Sequence, residues 1–292
     1  MLLPSHVGIF GIDIPLAFKR DQRTRKHSIP TMAFIQCDIF SETLGIRCKL
    51  NAIIPMPVGG DSQSASTPCQ TLFLLHGLQS NFDTWSRFSS IERYATEKGL
   101  AVIMPEAGRS FYTNMYHGYR YLDFFAEELP RIVNRLFPLS QDRSDRFVAG
   151  LSMGGYGAFK LALTRPDQYC AAASLSGALD FSAIENPEEL LPEWPIIFGE
   201  NRDIAGSRND LLELAKRYRS TENPAVSFYQ CCGTEDYLYQ SNQSFLKRAR
   251  PIGLNIHYEE GPGAHEWGYW DRQIQHVINW LPLRDVGDQT FA

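Results

Sequence analysis

Short apolar runs alternate with amphipathic stretches along most of the chain, and this alternation restricts the possible folds more than any other feature. Two apolar runs over 34–40 and 46–54 form a hairpin-like pair, after which predicted strands alternate with predicted helices. Such a chain folds into a mostly parallel β-sheet that helices cover on both faces. Ligands of such folds bind at the carboxyl ends of the strands. The later predicted strands are 71–75, 101–104, 146–149, 171–175, 226–231 and 254–258, and the predicted helices are 90–98, 121–136, 155–164, 211–218, 240–250 and 267–280.

The charge balance and the apolar content argue against two large classes of protein. Among the 292 residues, 28 Lys and Arg stand against 33 Asp and Glu, so the net charge is −5, which argues against nucleic-acid binding through bulk charge. No stretch approaches the roughly 20 apolar residues of a membrane-spanning helix, so we expect no membrane span. The hydrophobic content of 43% is ample for a core, and the length fits one large domain.

The cysteines and histidines lack the spacing that is typical of metal ligands. Six cysteines are scattered along the chain without a CxxC pair, and the seven histidines include no HxH or HExxH motif. We therefore expect no metal ion, and we expect reduced thiols in a cytoplasmic protein.

The N-terminal 31 residues differ in character from the remainder. In residues 1–31 an apolar opening precedes a run of basic residues, which is the reverse of the order in a signal peptide. We expect this segment to be a poorly ordered extension, residues 32–283 to form the folded domain, and residues 284–292 to be a C-terminal tail. Within the domain, the irregular segment 180–206 is predicted to form a short cap over the site.

A serine flanked by glycines gives the strongest indication of chemistry. Gly150-Leu151-Ser152-Met153-Gly154 is a GxSxG motif between a predicted strand and a predicted helix, which is the context that a nucleophile elbow requires. Ser152 is therefore the candidate nucleophile, and the alternative is an ordinary helix N-cap. The N-terminus of the following helix would supply partial positive charge where an anion forms.

A serine nucleophile needs a base that accepts its proton and a carboxylate that orients the base. In enzymes with a nucleophile elbow, the acid and the histidine follow the serine in chain order. Asp236 comes after the predicted strand 226–231 and is the candidate acid. Glu235, which adjoins it, and Asp180, which follows an earlier strand, remain alternatives.

His265 is the candidate base because it lies in a loop after the predicted strand 254–258. The carboxyl ends of parallel strands meet at one edge of a sheet, so this loop is expected to open beside the nucleophile. His257 lies within a predicted strand and His276 within the last predicted helix, where a packed or surface residue is the simpler interpretation.

The tetrahedral oxyanion of an acyl-transfer reaction needs hydrogen-bond donors. We expect the backbone N–H groups of Met153, directly after the nucleophile, and Leu78, in the loop after the strand 71–75, to form this oxyanion hole. Three aromatic residues are candidates for the wall of the substrate pocket: Tyr112, Trp194 and Trp267.

Six short runs of the sequence resemble those of a known enzyme family. They are LLHG at 74–77, YTN at 112–114, GLSMGGYG at 150–157, SGAL at 176–179, GTED at 233–236 and HEW at 265–267. Over about residues 32–283 the chain resembles the esterase D family of α/β-hydrolases, most closely its tributyrin-esterase (EstA-like) branch. The resemblance implies the α/β-hydrolase fold and a carboxylesterase without a cofactor, whose Ser-Asp-His triad corresponds to Ser152, Asp236 and His265.

The motifs and the resemblance favour a serine carboxylesterase that hydrolyses small short-chain acyl esters through an acyl-enzyme. The alternatives within catalysis are a thioesterase of the S-formylglutathione hydrolase type and an acyltransferase. A non-catalytic binding protein on a hydrolase scaffold is the alternative from another class. The sequence leaves open whether the chain forms a homo-oligomer.

Overall fold

The computed structural model describes residues 31–56, 67–184, 187–200, 204–219 and 221–284. Its strands form one sheet in the order β1-β2-β4-β3-β5-β6-β7-β8 once they are numbered along the chain. These strands are β1 (Thr31–Ser41), β2 (Ile46–Met56), β3 (Thr71–Leu75), β4 (Ala101–Pro105), β5 (Arg146–Leu151), β6 (Ala171–Leu175), β7 (Ser227–Gly233) and β8 (Ile256–Gly261).

The sheet is parallel except at one edge. The pairs β1–β2 and β2–β4 are antiparallel, whereas every pair from β4 through β8 is parallel. All residues of β3, β4, β5 and β6 are buried, as expected for strands that are covered on both faces. Their continuous apolar runs explain why the sequence reveals these strands clearly.

Helices pack on both faces of the sheet. They are α1 (Thr84–Phe88), α2 (Ile91–Lys98), α3 (Tyr121–Asp123), α4 (Leu129–Leu136), α5 (Met153–Thr164), α6 (Pro187–Leu190), α7 (Trp194–Phe198), α8 (Leu211–Arg219), α9 (Tyr239–Ala249) and α10 (Trp267–Trp280). In β3, Phe73 joins the apolar cluster that includes residues of α4, α5, α8 and α9, while Leu72 joins the opposite cluster with α2 and α10. The predicted architecture, a mostly parallel sheet between two layers of helices, is confirmed.

The segment predicted as one helix over 121–136 contains a π-helical turn at Phe124–Glu128 between α3 and α4. The Leu129 N–H donates to the Phe124 carbonyl, five residues back, and the next residue, Pro130, has no N–H to donate. Proline therefore removes the backbone hydrogen bond that residue 130 would donate to the carbonyl four residues back in an α-helix. Helical periodicity in the sequence does not reveal the resulting π-helical turn.

The cap segment 180–206, which was predicted to be irregular, contains a 3-10 turn at Phe181–Ala183 and the two short helices α6 and α7. At the N-terminal boundary, β1 already begins at Thr31, one residue before the expected start of the domain. The remainder of the predicted extension, 1–30, and positions 285–292 of the predicted tail lie outside the described residues. Within the described ranges, no helix has the length and apolar character to cross a membrane.

Candidate active site

Ser152 occupies a strained turn between β5 and α5. Its φ of 54° and ψ of −118° lie in a region that non-glycine residues rarely adopt, and such strain persists only where the surroundings impose it. A Cβ added at Gly150 would lie 2.5 Å from the Gly154 carbonyl, and one at Gly154 would lie 2.5 Å from the Leu75 carbonyl oxygen. The two glycines therefore allow the close backbone approach that presents Ser152 at the end of a central strand.

Ser152, His265 and Asp236 are joined by hydrogen bonds. The His265 Nε2 atom lies 3.0 Å from the Ser152 Oγ atom, and Nδ1 lies 2.9 Å from the nearer Asp236 carboxylate oxygen. The Asp236 side chain is fully buried, and its carboxylate also accepts the Leu238 backbone N–H at 2.8 Å. A carboxylate at Nδ1 favours the tautomer with its proton there, so Nε2 can accept the serine proton.

The pairing of β7 with β8 brings the acid and the histidine to the same edge of the sheet. Gly233, at the end of β7, is paired with Gly261, at the end of β8. Asp236 and His265 lie in the loops that follow these paired residues, which explains how two positions 29 residues apart in sequence meet beside Ser152.

The alternative acids have other partners. The Asp180 carboxylate accepts hydrogen bonds from the Ser244 hydroxyl at 2.6 Å and the Arg248 guanidinium at 2.8 Å. Burial raises the pKa of Asp180, but hydrogen bonds from Ser182, Ser244 and Arg248 outweigh it and lower the pKa below the usual value. The Glu235 carboxylate accepts the Gly263 N–H, so it holds the loop that leads to His265.

The alternative histidines flank a different carboxylate. His257 and His276 both contact Glu259, at 3.1 and 2.9 Å. Burial raises the pKa of Glu259, but hydrogen bonds from His276, Tyr229 and His257 lower it to about 2. These two histidines therefore belong to a hydrogen-bonded cluster around Glu259, and neither contacts Ser152 among the described hydrogen bonds.

The two expected oxyanion-hole residues both lie close to Ser152. Met153 is the first residue of α5, where the backbone N–H has no acceptor within the helix. Leu78 lines the cleft, and a Cβ added to the preceding Gly77 would lie 3.5 Å from the Ser152 Cβ. Buried His76 orders this loop, because its ring accepts the Ala107 N–H at 3.0 Å and contacts the Gly77 carbonyl oxygen at 2.8 Å.

A cleft of about 630 Å³ opens over Ser152 and His265. Trp194 and Trp267, two of the three aromatic residues expected at the pocket wall, line it. Its full lining consists of Gly77, Leu78, Gln79, Ser80, Phe111, Leu151, Ser152, Ala178, Phe181, Ile184, Pro187, Leu191, Trp194, Tyr237, Leu238, His265, Glu266, Trp267 and Trp270.

Tyr112 differs from the expectation, because it is buried and does not line the cleft. The side chain is completely buried, and its hydroxyl donates to the His76 carbonyl oxygen at 2.9 Å. Its ring packs against Phe125 and against Gly157 of α5, where an added Cβ would lie 2.4 Å from the ring. The neighbouring Phe111 takes the position in the wall.

Aromatic side chains form two groups at the cleft. On the cap side, the Phe181 ring lies 5.7 Å from the Phe111 ring and 5.2 Å from that of Trp194. On the other side, Trp267 stacks against the exposed Phe88 at 5.5 Å and contacts the buried Trp85 edge-on at 5.2 Å. Both groups therefore contribute apolar aromatic residues to the lining of the cleft that contains Ser152.

Sequence reasoning did not identify the buried Lys160 in α5. Its ammonium group donates to the Thr113 hydroxyl at 2.6 Å and the Asn209 side-chain oxygen at 2.7 Å, and a longer bond of 3.3 Å reaches the Tyr156 hydroxyl. Burial lowers the pKa of this lysine well below its usual value. Lys160 thus links α5, the helix that begins after Ser152, to the segments that contain Thr113 and Asn209. In the sequence, only the presence of a lysine in an otherwise apolar helix points to this role.

Sequence analysis also missed Tyr237, which lines the cleft directly after Asp236. The centroid of its ring lies 4.5 Å from that of His265, with an angle of 48° between the planes. Its position next to the candidate acid was the available signal in the sequence.

Among the described residues, no group of His, Cys, Asp and Glu is arranged to hold a metal ion.

Comparison with known proteins gives relatives over nearly the whole described chain. The model of the Esterase family, described as "Putative esterase", matches residues 41–281. An acetyl esterase of Caldicellulosiruptor saccharolyticus is 27% identical over 261 residues, which cover 86% of this chain and 98% of the relative.

Two solved structures from Staphylococcus aureus are similar at 36% identity. One is the substrate-bound fluorophosphonate-binding serine hydrolase FphF, with a TM-score of 0.80 over 87% of this chain and 99% of that one. The other is the S-formylglutathione hydrolase FrmB without ligand, with a TM-score of 0.79 over 86% and 99%.

These similarities agree with the geometry around Ser152. The fold is that of the α/β-hydrolases, as the resemblance of the motifs implied, and the protein is a carboxylic ester hydrolase of the serine type. Because the family model covers most of its length, the chain belongs to the Esterase family.

Proposed function

We propose that this esterase hydrolyses short-chain acyl esters with Ser152 as nucleophile, His265 as base and Asp236 as the acid that orients the base. The observation that carries the proposal is the hydrogen-bonded series from the Ser152 hydroxyl through His265 to the buried Asp236 carboxylate, at the bottom of an open cleft. These are the groups that an acyl-enzyme mechanism needs, in the order in which the proton moves.

The reaction begins when the Ser152 Oγ attacks the ester carbonyl carbon while its proton passes to the His265 Nε2. The carbonyl oxygen becomes an oxyanion, which the N–H groups of Leu78 and Met153 stabilise. When the bond to the alcohol oxygen breaks, His265 gives its proton to the departing alcohol and the acyl group remains on Ser152. Water then attacks the acyl-enzyme while His265 accepts its proton. The proton passes to the Ser152 Oγ as the acyl bond breaks, and the carboxylic acid product leaves.

The nucleophile is tested with Ser152→Ala and a fluorophosphonate probe. We expect the variant to lose both covalent labelling and ester hydrolysis while its circular dichroism stays unchanged, because the probe bonds to an activated serine. Ser144→Ala is the matched control, since Ser144 is exposed in the turn before β5, at the opposite end of that strand. Labelling that survives in Ser152→Ala would contradict the assignment.

The preference for short acyl chains rests on the size of the cap. Its helices α6 and α7 have four and five residues, and Phe111, Phe181 and Trp194 are among the bulky residues that line the cleft of about 630 Å³. The name of the acetyl esterase relative points in the same direction. We therefore propose that the protein is most similar to the tributyrin-esterase branch of its family.

A series of p-nitrophenyl esters measures acyl fit. Each buried methylene adds about 0.8 kcal/mol until the pocket is full, so kcat/KM is expected to rise from acetate to butyrate and to fall by octanoate. Every ester in the series has the same leaving group, so differences in kcat/KM report the effect of acyl-chain length alone. A value that continues to rise beyond dodecanoate would rule out the short-chain proposal.

The second candidate function is thioester hydrolysis, which the similarity to FrmB favours, since that relative is named an S-formylglutathione hydrolase. A thioesterase built for this substrate should prefer S-formylglutathione over butyrate esters by orders of magnitude in kcat/KM. We expect the opposite order, and the two rates measured side by side decide between the candidates.

We also propose a cytoplasmic location, with a small ester as the partner in the reaction. All six cysteines are free thiols in the structure, and a reducing compartment preserves thiols in that state. Fractionation of the producing cells tests this location, and activity found only outside the cytoplasm would contradict it.

A further inference from the structure

Tyr237 lies in the candidate active site, but no step of the proposed mechanism uses it. It directly follows Asp236 and lines the same cleft as Ser152 and His265. Its ring lies against the His265 imidazole, with 4.5 Å between the centroids. Although it makes this contact, 60% of the residue surface stays exposed. Tyr237 therefore touches the base and remains accessible to a bound substrate.

Tyr237 shares the cleft with Ser152, the proposed nucleophile. Burial and the charge of Asp236 raise the pKa of this phenol, and a hydrogen-bonding interaction with the Ser152 hydroxyl lowers it, with a net shift upward from the usual value of 10. The phenol consequently keeps its proton at every pH at which a histidine base works, and it can act only as a neutral donor or acceptor.

The position of Tyr237 suits a contact with one reacting atom, the alcohol oxygen of the ester. In the tetrahedral intermediate, the alcohol oxygen of the ester must lie near His265 Nε2, because that atom gives it a proton. It must also lie near the Ser152 Oγ, because both oxygens are bonded to the same carbon. The Tyr237 ring contacts His265, and its side chain lines the cleft that also contains Ser152, so its hydroxyl can reach the departing oxygen.

We propose that the Tyr237 hydroxyl donates a hydrogen bond to the alcohol oxygen of the ester while the bond between the acyl carbon and that oxygen breaks. The electron pair of this bond moves to the alcohol oxygen, the His265 imidazolium supplies the proton, and Tyr237 keeps its own. Tyr237 is then a further catalytic residue that stabilises the leaving group. The inference rests on the proposed function, because it presupposes acyl transfer to Ser152.

This role predicts a dependence on the leaving group. An aliphatic alkoxide is a strong base and accumulates negative charge that a donor can stabilise, whereas p-nitrophenolate is a weak base and leaves readily without help. Removal of the hydroxyl should therefore slow acylation by an alkyl ester much more than acylation by a nitrophenyl ester with the same acyl group.

The experiment compares ethyl butyrate with p-nitrophenyl butyrate in Tyr237→Phe, which keeps the ring on His265. We expect kcat/KM, which reports the steps through acylation, to fall about tenfold or more for ethyl butyrate and by less than about threefold for p-nitrophenyl butyrate. Tyr239→Phe is the matched control, since the Tyr239 hydroxyl bonds to Glu260 and Tyr239 does not line the cleft. Its ratio between the two esters should equal that of the wild type.

Three results would overturn the role. Equal losses in kcat/KM for the two esters would mean that the hydroxyl acts on the acyl group or on the shape of the site. A loss confined to kcat would place it in hydrolysis of the acyl-enzyme, and no loss at all would remove it from the reaction.

Fluorophosphonate labelling of Ser152 in Tyr237→Phe confirms that the variant has a folded site. If the wild-type protein hydrolyses neither ester and is not labelled, the proposed function itself fails. The ratio between the two esters in an active wild type tests Tyr237 alone.

Discussion

At the scale of single residues, two buried aspartates near the cleft show how partners determine a role. The Asp236 carboxylate faces His265, whereas the Asp180 carboxylate bonds to Ser244 and Arg248 of α9. Asp180 also accepts the backbone N–H of Ser182, so it holds the first turn of the cap against α9. The two side chains are chemically identical, yet of the two only Asp236 contacts His265, the proposed base.

We predict that Asp236→Asn lowers kcat on p-nitrophenyl butyrate by about 10⁴-fold, as the corresponding change does in a serine protease. The amide cannot hold the proton on Nδ1 of His265 or stabilise the imidazolium. Asp180→Asn should keep kcat within about tenfold and lower the midpoint of thermal unfolding, because Arg248 loses a charged partner. If the Asp180 variant is the inactive one, the assignment of the acid is wrong.

At the scale of structural elements, the turn from β5 to α5 depends on close contact between backbones. Gly154 lies against the carbonyl oxygens of Leu75 and His76, at 2.5 and 2.7 Å from the position of an added Cβ. Both of these contacts are with the end of β3 and the loop after it, which also contains Leu78. A side chain at Gly154 would therefore push the nucleophile turn away from the expected oxyanion hole.

Gly154→Ala is expected to lower the free energy of unfolding by about 1–3 kcal/mol and turnover by about a hundredfold. The loss in rate follows from displacement of Ser152, because small errors in the position of reacting atoms are costly. Gly261→Ala is the control, since an added Cβ there meets no atom within 4 Å. Urea unfolding and kcat for both variants test the prediction, and a fully active Gly154→Ala would refute it.

The sequence predicts the buried elements well and the irregular ones poorly. β3 and α10 have the predicted boundaries, because each has a strong apolar pattern and clear breaks at its ends. The short helix α1 and the cap helices α6 and α7 were missed, since four or five residues are too few to show a period. The burial of Tyr112 was also missed, because it depends on a contact with Gly157 in another element.

At the scale of the whole molecule, the order of the strands could not be read from the sequence. β3 lies between β4 and β5, so strands adjacent in space are not adjacent in the chain. Such pairing is decided by packing across long sequence separations, which local patterns do not encode. The prediction that Ser152, Asp236 and His265 meet needed only the rule that parallel strands end at one edge, which explains why this meeting was easier to predict than the topology.

Removal of residues 1–30 is expected to leave kcat on p-nitrophenyl butyrate and the midpoint of thermal unfolding nearly unchanged. We propose that the functional domain begins with β1 at Thr31, which pairs with Met56 of β2. The match to the family begins at residue 41, and the described cleft is lined from Gly77 onward. A marked fall in either quantity would show that the N-terminal segment contributes to the domain or to an interface.

The separation of 113 residues between Ser152 and His265 has a consequence for biosynthesis. With a ribosome adding about 5–20 residues per second, the proposed nucleophile is made roughly ten seconds before the proposed base. During that interval the nascent polypeptide holds a serine with no proton acceptor, and it cannot attack the esters of the cell that makes it. On the proposed mechanism, hydrolytic activity thus arises only after β8 and His265 have been made, and prematurely terminated chains that stop before β8 are inert.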